Sequence, residues 1–185
     1  MKKIFLLSCL LLLTLVSHAQ HLKFMGIPIN GNIDVFQTKL AQKGVKISNL
    51  SKTAPVGVRI FEGYFTNEKA DIIVFYNIKT KNVYHCRVAF DKVFETIDKA
   101  QSYFDYYKEK LNEKYVGLTS DMIDETKSDS HYSIMVIQPP VREGSTVLGF
   151  IELNIKEFDY QYSLWIDYID IQNNEKNEKQ STNDL

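Results

Sequence analysis

The chain has 185 residues with 22 basic and 23 acidic side chains and is 44% hydrophobic, which is enough length and apolar content for one well-buried core. The near-even charge, with no clustered basic run, excludes nucleic acid as a partner, because phosphate binding needs a concentrated positive surface. Two cysteines are too few for a disulfide-stapled scaffold.

The first twenty residues, MKKIFLLSCLLLLTLVSHAQ, have the plan of a secretory signal peptide. Lys2 and Lys3 carry the positive charge, an apolar run extends from Ile4 to Leu13, and small residues lead to Ser17-His18-Ala19. Cleavage is expected between Ala19 and Gln20. The apolar run is shorter than the ~20 residues a membrane-spanning helix needs, so no membrane span is expected after cleavage. Cys9 has too few apolar residues before it to serve as a lipoprotein cysteine. Removing residues 1–19 takes 185 residues to 166 and 22 basic groups to 20, against 23 acidic ones. The product is expected to be exported, to the periplasm or beyond, as a single domain over residues 20–171.

After Leu22, Phe24 and Ile27, a turn at Pro28 to Gly31 leads to a short helix. Asn32 is placed to cap it, Asp34 sits in its first turn and Lys39 and Lys43 toward its end. Gly44 stops it, and Ile33, Phe36 and Leu40 form its buried stripe. A linker with Ser51, Pro55 and Gly57 precedes three strand-like runs, Val58 to Phe65, Ala70 to Asn77 and Val83 to Phe90, separated by TNEK and IKTKN. The strongest helical period falls at about Val93 to Tyr115, through Ile97, Ala100, Phe104, Tyr107 and Leu111. Strands return at about His131 to Ile137, Val147 to Ile155 and Tyr162 to Ile171, with Pro139 and Pro140 closing the first. The tail, residues 172–185, lacks apolar residues to bury and reads as disordered. The fold class is therefore α+β: an antiparallel sheet of about six strands with two amphipathic helices on one face, in two helix-plus-three-strand halves.

The FMGIP segment and the NGNIDVFQTKL helix over residues 24–44, with a looser echo in YYKEKLNEKYVG at 106–117, resemble uncharacterised exported proteins of Bacteroidota-type bacteria. That resemblance implies export and a compact α+β fold, and brings no activity with it. The repeated helix-plus-sheet plan is similar in architecture to two-repeat periplasmic binding and inhibitor modules such as β-lactamase-inhibitor-like domains. Those carry disulfides in each half, and this chain has none to offer.

NVYHCRVAF, residues 82–90, sets His85, Cys86 and Arg87 side by side, which raises the question of a thiol site. Adjacent strand residues point to opposite faces, so His85 cannot activate Cys86. Pairing around IKTKN with Asn77 opposite Val83 sets Arg87 against Ile73 and His85 against Phe75. Cys86 then shares an apolar face with Ile72, Val74 and Val88 and reads as an inert core thiol. His21, His85 and His131 lack the paired spacing of metal ligands, and no phosphate loop or nucleophile elbow occurs. No cofactor or metal is implied.

The candidate surface is the opposite face, bearing His85 and Arg87 in the first half and Phe150, Glu152, Trp165 and Asp167 in the second. If the strands flanking KEFDYQ pair so that Glu152 lies opposite Asp167, their side chains are about 5 Å apart, a separation suited to a retaining glycosidase. Outward carboxylates on a half-exposed strand are the plainer reading. Trp165 either completes the core or anchors a partner on this face. The expectation is a non-catalytic binding or interaction module for an unknown protein or small molecule. The alternative is a small hydrolase using Glu152 and Asp167.

Overall fold

The computed structural model describes residues 20–115, 117–120, 131–138 and 145–182; the expected signal peptide and the Pro139-Pro140 stop lie outside these residues. In chain order the elements are β1 (Lys23–Phe24), β2 (Ile27–Pro28), α1 (Ile33–Ala41), β3 (Lys46–Ile47), a 3-10 turn at Asn49–Lys52, β4 (Val58–Phe65), β5 (Glu68–Tyr76) and β6 (Val83–Phe94). Then follow α2 (Ile97–Lys114), β7 (Gly117–Ser120), β8 (His131–Ile137), β9 (Val147–Phe158), β10 (Gln161–Asp170) and α3 (Ile171–Thr182). The fold is α+β, built on an antiparallel sheet.

Eight strands make one sheet in the order β3-β4-β5-β6-β10-β9-β8-β7, and β1-β2 form a separate ribbon. Sequence patterning predicts about six strands, and the difference lies at the two edges. β3 is two residues long, both exposed, and β7 is four, so neither carries a readable alternation. The central contact is β6 against β10, the last strands of the two sequence runs.

Each element follows from its residues. Asn32 accepts a hydrogen bond from the Asp34 amide at 2.8 Å and caps α1, whose buried residues are Ile33, Phe36 and Leu40. β6 runs past the expected strand end to Phe94, so α2 starts at Ile97 and buries Ala100, Phe104, Tyr107 and Leu111. These side chains join one core with Ile72, Val74, Cys86, Val88, Ile151, Leu153, Ile166 and Tyr168. Alternation along the strands places that whole set on one side of the pleat.

The expected disordered tail is corrected for residues 172–182, which form most of α3. Composition missed a polar anchor. Asp170, fully buried, accepts from the Asn173 amide at 3.0 Å, the Leu22 amide at 2.9 Å and the His21 ring, whose Nδ1 is 3.0 Å from its Oδ2. Asn173 donates from Nδ2 to the carbonyls of Ile29 and Val83 at 2.9 and 3.3 Å. The network ties the start of the helix to the amino-terminal ribbon and to β6, with hydrogen bonds in place of apolar burial.

Candidate functional site

The sheet registers decide which side chains meet on the second face. β5 and β6 set Ile73 opposite Arg87 and Phe75 opposite His85, with the ladder shifting by one residue between Phe75 and Tyr76. That shift places Tyr76, not Asn77, against Val83. β10 sets Asp167 opposite Arg87 on one side and opposite Glu152 on the other, and Trp165 opposite Asn154. One row across the sheet therefore reads Ile60, Ile73, Arg87, Asp167, Glu152, Ser133. Its neighbour reads Val58, Phe75, His85, Ile169, Phe150, Met135. Most of these residues are partly exposed, whereas Ile72, Val74, Cys86, Val88 and Ile166 on the core side are fully buried.

Asp167 is the exception, at 3% exposed, and its neighbours explain how a carboxylate is tolerated there. Arg87 donates from Nε to Oδ1 at 2.7 Å and from Nη2 to Oδ2 at 3.3 Å, and His85 donates from Nε2 to Oδ1 at 2.6 Å. Burial alone would raise the Asp167 carboxyl. The hydrogen bonds and charge of His85 and Arg87 outweigh it and hold the group below its ordinary value. An ionised carboxylate only accepts, so the shared proton resides on His85 Nε2.

Planar groups stack beside this cluster. His85 lies against Phe75 with ring centroids 4.4 Å apart and planes 8° from parallel. The Arg87 guanidinium carbon is 5.8 Å from the Phe75 centroid and 4.4 Å from that of Trp165. Trp165 stacks in turn on Phe158 at 5.5 Å. The result is a ladder of His85, Phe75, Arg87, Trp165 and Phe158 from β5 and β6 across β10 to the end of β9. Each guanidinium-ring contact contributes about 0.5 to 2 kcal/mol, according to its exposure.

The six residues singled out from sequence, His85, Arg87, Phe150, Glu152, Trp165 and Asp167, thus occupy one face in three adjoining registers. Sequence reasoning missed Phe158 and the degree of contact among the others. KEFDYQ reads as a six-residue turn, but the strands pair through Phe158 and Gln161 and leave only Asp159 and Tyr160 as the loop. The clue was alternation continuing through Lys156 and Phe158. His131 also lies here, its Nδ1 2.7 Å from Asn154 Oδ1.

Cys86 is fully buried on the core side, and burial pushes its thiol well above the ordinary value. Among the described residues no three His, Cys, Asp or Glu side chains converge as metal ligands, and no helix is long and apolar enough to cross a membrane. Two shallow depressions, about 470 Å³ along α2 at Asp105 to Glu113 and about 320 Å³ beside Lys46 and Phe61, include none of the six face residues. No family model, curated protein or solved structure matches the chain.

Proposed function

We propose that the chain is an exported, non-catalytic binding module that holds a protein partner against the half-exposed face of its sheet. The observation behind this is the Arg87-Asp167-His85 cluster, flanked by Trp165 and Phe75 on a surface that also bears Ile73 and Phe150. Arginine and large aromatics are the side chains that most often carry binding energy, and here they are held rigid before any partner arrives. A sheet eight strands wide spans roughly 35 Å at ~4.8 Å per strand, enough for a standard interface of about 800 Å² per partner. A face that broad suits a protein partner. In this reading the amphipathic helices α1 and α2 both cover the face bearing Ile72, Val74 and Cys86. The two halves are helix-plus-strand repeats that meet at β6 and β10. The leader sequence and the resemblance to exported proteins support action in the periplasm or outside the cell.

A hydrolase using Glu152 and Asp167 is the second reading, and their direct opposition in the sheet is its support. The engagement of both Asp167 oxygens by Arg87 weighs against it, because a nucleophile or proton donor needs a free oxygen.

The test is the double substitution Ile73→Asp and Phe150→Asp in exported protein isolated under native conditions. Wild type is expected in a complex heavier than its own mass by native mass spectrometry, and the folded variant alone. A variant that keeps the complex would overturn the proposal.

A further inference from the structure

Two chain reversals lie side by side where β4 begins and β5 ends, and Gly57 joins them. Its carbonyl accepts from the Tyr76 amide at 2.9 Å, and at φ 87° a Cβ there would lie 3.1 Å from the Tyr76 carbonyl and 3.3 Å from Ile78 Cγ1. Asn77 fixes the β5-β6 tip beyond it: its Oδ1 accepts the Lys79 and Thr80 amides at 2.9 Å, and its carbonyl accepts the Lys81 amide at 2.8 Å. On these held turns Val56 and Ile78 are left 75% and 54% exposed. A single exposed apolar residue is ordinary, but two aliphatic tips presented together mark a contact surface.

The same two segments, residues 48–60 and 76–84, carry Lys52, Arg59, Lys79 and Lys81 and no acidic side chain. Asp34 on α1 neutralises Arg59 at 2.7 Å, and Lys81 rests over the Tyr76 ring at the base of the tip, its Nζ 5.5 Å from the centroid. α3 reaches the tip through Asn177, which accepts from Asn77 Nδ2 at 2.9 Å, and there Glu175 and Glu178 are matched by Lys176 and Lys179. This end is therefore positive on a chain that is acidic overall once residues 1–19 are removed. Aliphatic tips beside lysines suit a lipid surface better than a protein. Lysine is depleted in protein interfaces, whose anchors are aromatic rings and arginine, whereas at a bilayer its stem lies along the acyl boundary and its ammonium reaches the phosphates.

We infer that this loop end is a docking surface for an anionic lipid bilayer. Val56 and Ile78 enter the boundary between headgroups and acyl chains, and Lys52, Lys79 and Lys81 meet the phosphates. The strands then stand end-on to the membrane, which leaves the open face with Arg87 and Trp165 accessible from the side. None of the six residues of that face takes part, so the inference goes beyond the binding-module reading and does not depend on it.

The experiment sediments the mature protein with vesicles of phosphatidylglycerol and phosphatidylethanolamine in equal parts, and with vesicles of phosphatidylcholine alone. Saturable binding is expected to the first at low salt, weakening as salt rises, and none to the second. Val56→Ser with Ile78→Ser, and separately Lys79→Gln with Lys81→Gln, are each expected to weaken binding about tenfold at an unchanged melting temperature. Lys92→Gln with Lys99→Gln removes the same charge beyond the opposite end of β6 and is expected to bind as wild type. No binding to the anionic vesicles, or equal binding to both kinds, would overturn the inference, and this comparison needs no variant. So would a serine variant that binds as wild type, or an equal loss in the Lys92 and Lys99 variant. Soluble polyglutamate that binds as tightly as the vesicles would point to an acidic protein and also overturn it. The complex lost in Ile73→Asp with Phe150→Asp is a separate readout, so either proposal can fail while the other stands.

Discussion

The Arg87 guanidinium lies over Trp165, 4.4 Å from the ring centroid, while its Nε holds Asp167 Oδ1 at 2.7 Å. One side chain thus joins the charged cluster of the open face to its aromatic ladder. Arg87→Lys keeps the charge and loses both the fork and the flat stack, so a loss of about 1 kcal/mol and an altered Trp165 emission are expected. Urea denaturation followed by fluorescence checks both; an unchanged midpoint and spectrum would mean the contact contributes nothing in solution.

Asp167 gives the fold an acid limb. Its folded pKa lies below the ordinary 3.8, so the unfolded chain takes up this proton first as pH falls. The contribution is therefore full above roughly pH 5 and lost as pH drops through the folded value. Asp167→Asn removes it at every pH and is expected to cost about 2 to 3 kcal/mol at neutrality, since Arg87 and His85 lose a buried anion. Denaturant midpoints from pH 6 to pH 3 should converge for wild type and variant; parallel curves would remove Asp167 from the acid response.

How far the sequence revealed this fold depended on whether a signal was local. Alternation in NVYHCRVAF was enough to part Cys86 from His85, and the registers of Arg87 with Ile73 and of Asp167 with Glu152 followed from hairpin pairing alone. The meeting of Arg87 with Asp167 was not legible, because β6 and β10 are 80 residues apart at that contact and nothing local pairs them. The tail was misread for a similar reason. Its composition offers no apolar stripe, and the buried Asp170 and Asn173 that secure α3 find their partners at Leu22, Ile29 and Val83.

Asn173→Ala should accordingly strand two buried carbonyls, Ile29 and Val83, at a cost of about 1 to 3 kcal/mol. Hydrogen exchange is expected to speed up in α3 and the β1-β2 ribbon together. Loosening of the helix alone would show that the network does not couple the two ends.

Cys86→Ala should cost about 1 to 2 kcal/mol, as a small truncation in a fully buried site, and leave partner binding intact. The native thiol is expected to resist alkylation until the protein unfolds. Rapid labelling of the folded protein, or lost binding at unchanged stability, would contradict a purely structural role.

Processing has its own check. Intact-mass measurement on exported protein is expected to place Gln20 at the amino terminus, and retention of residues 1–19 or a lipid on Cys9 would show that the leader was misread.

The most direct test of the open face is site-specific photo-crosslinking in the producing cell, with a photoreactive side chain at Phe75 or Phe150 and, as control, at Glu109 on α2. The account predicts one discrete crosslinked protein from both sheet positions and none from Glu109. Crosslinks from Glu109 alone, or none from either sheet position in folded, exported protein, would contradict it.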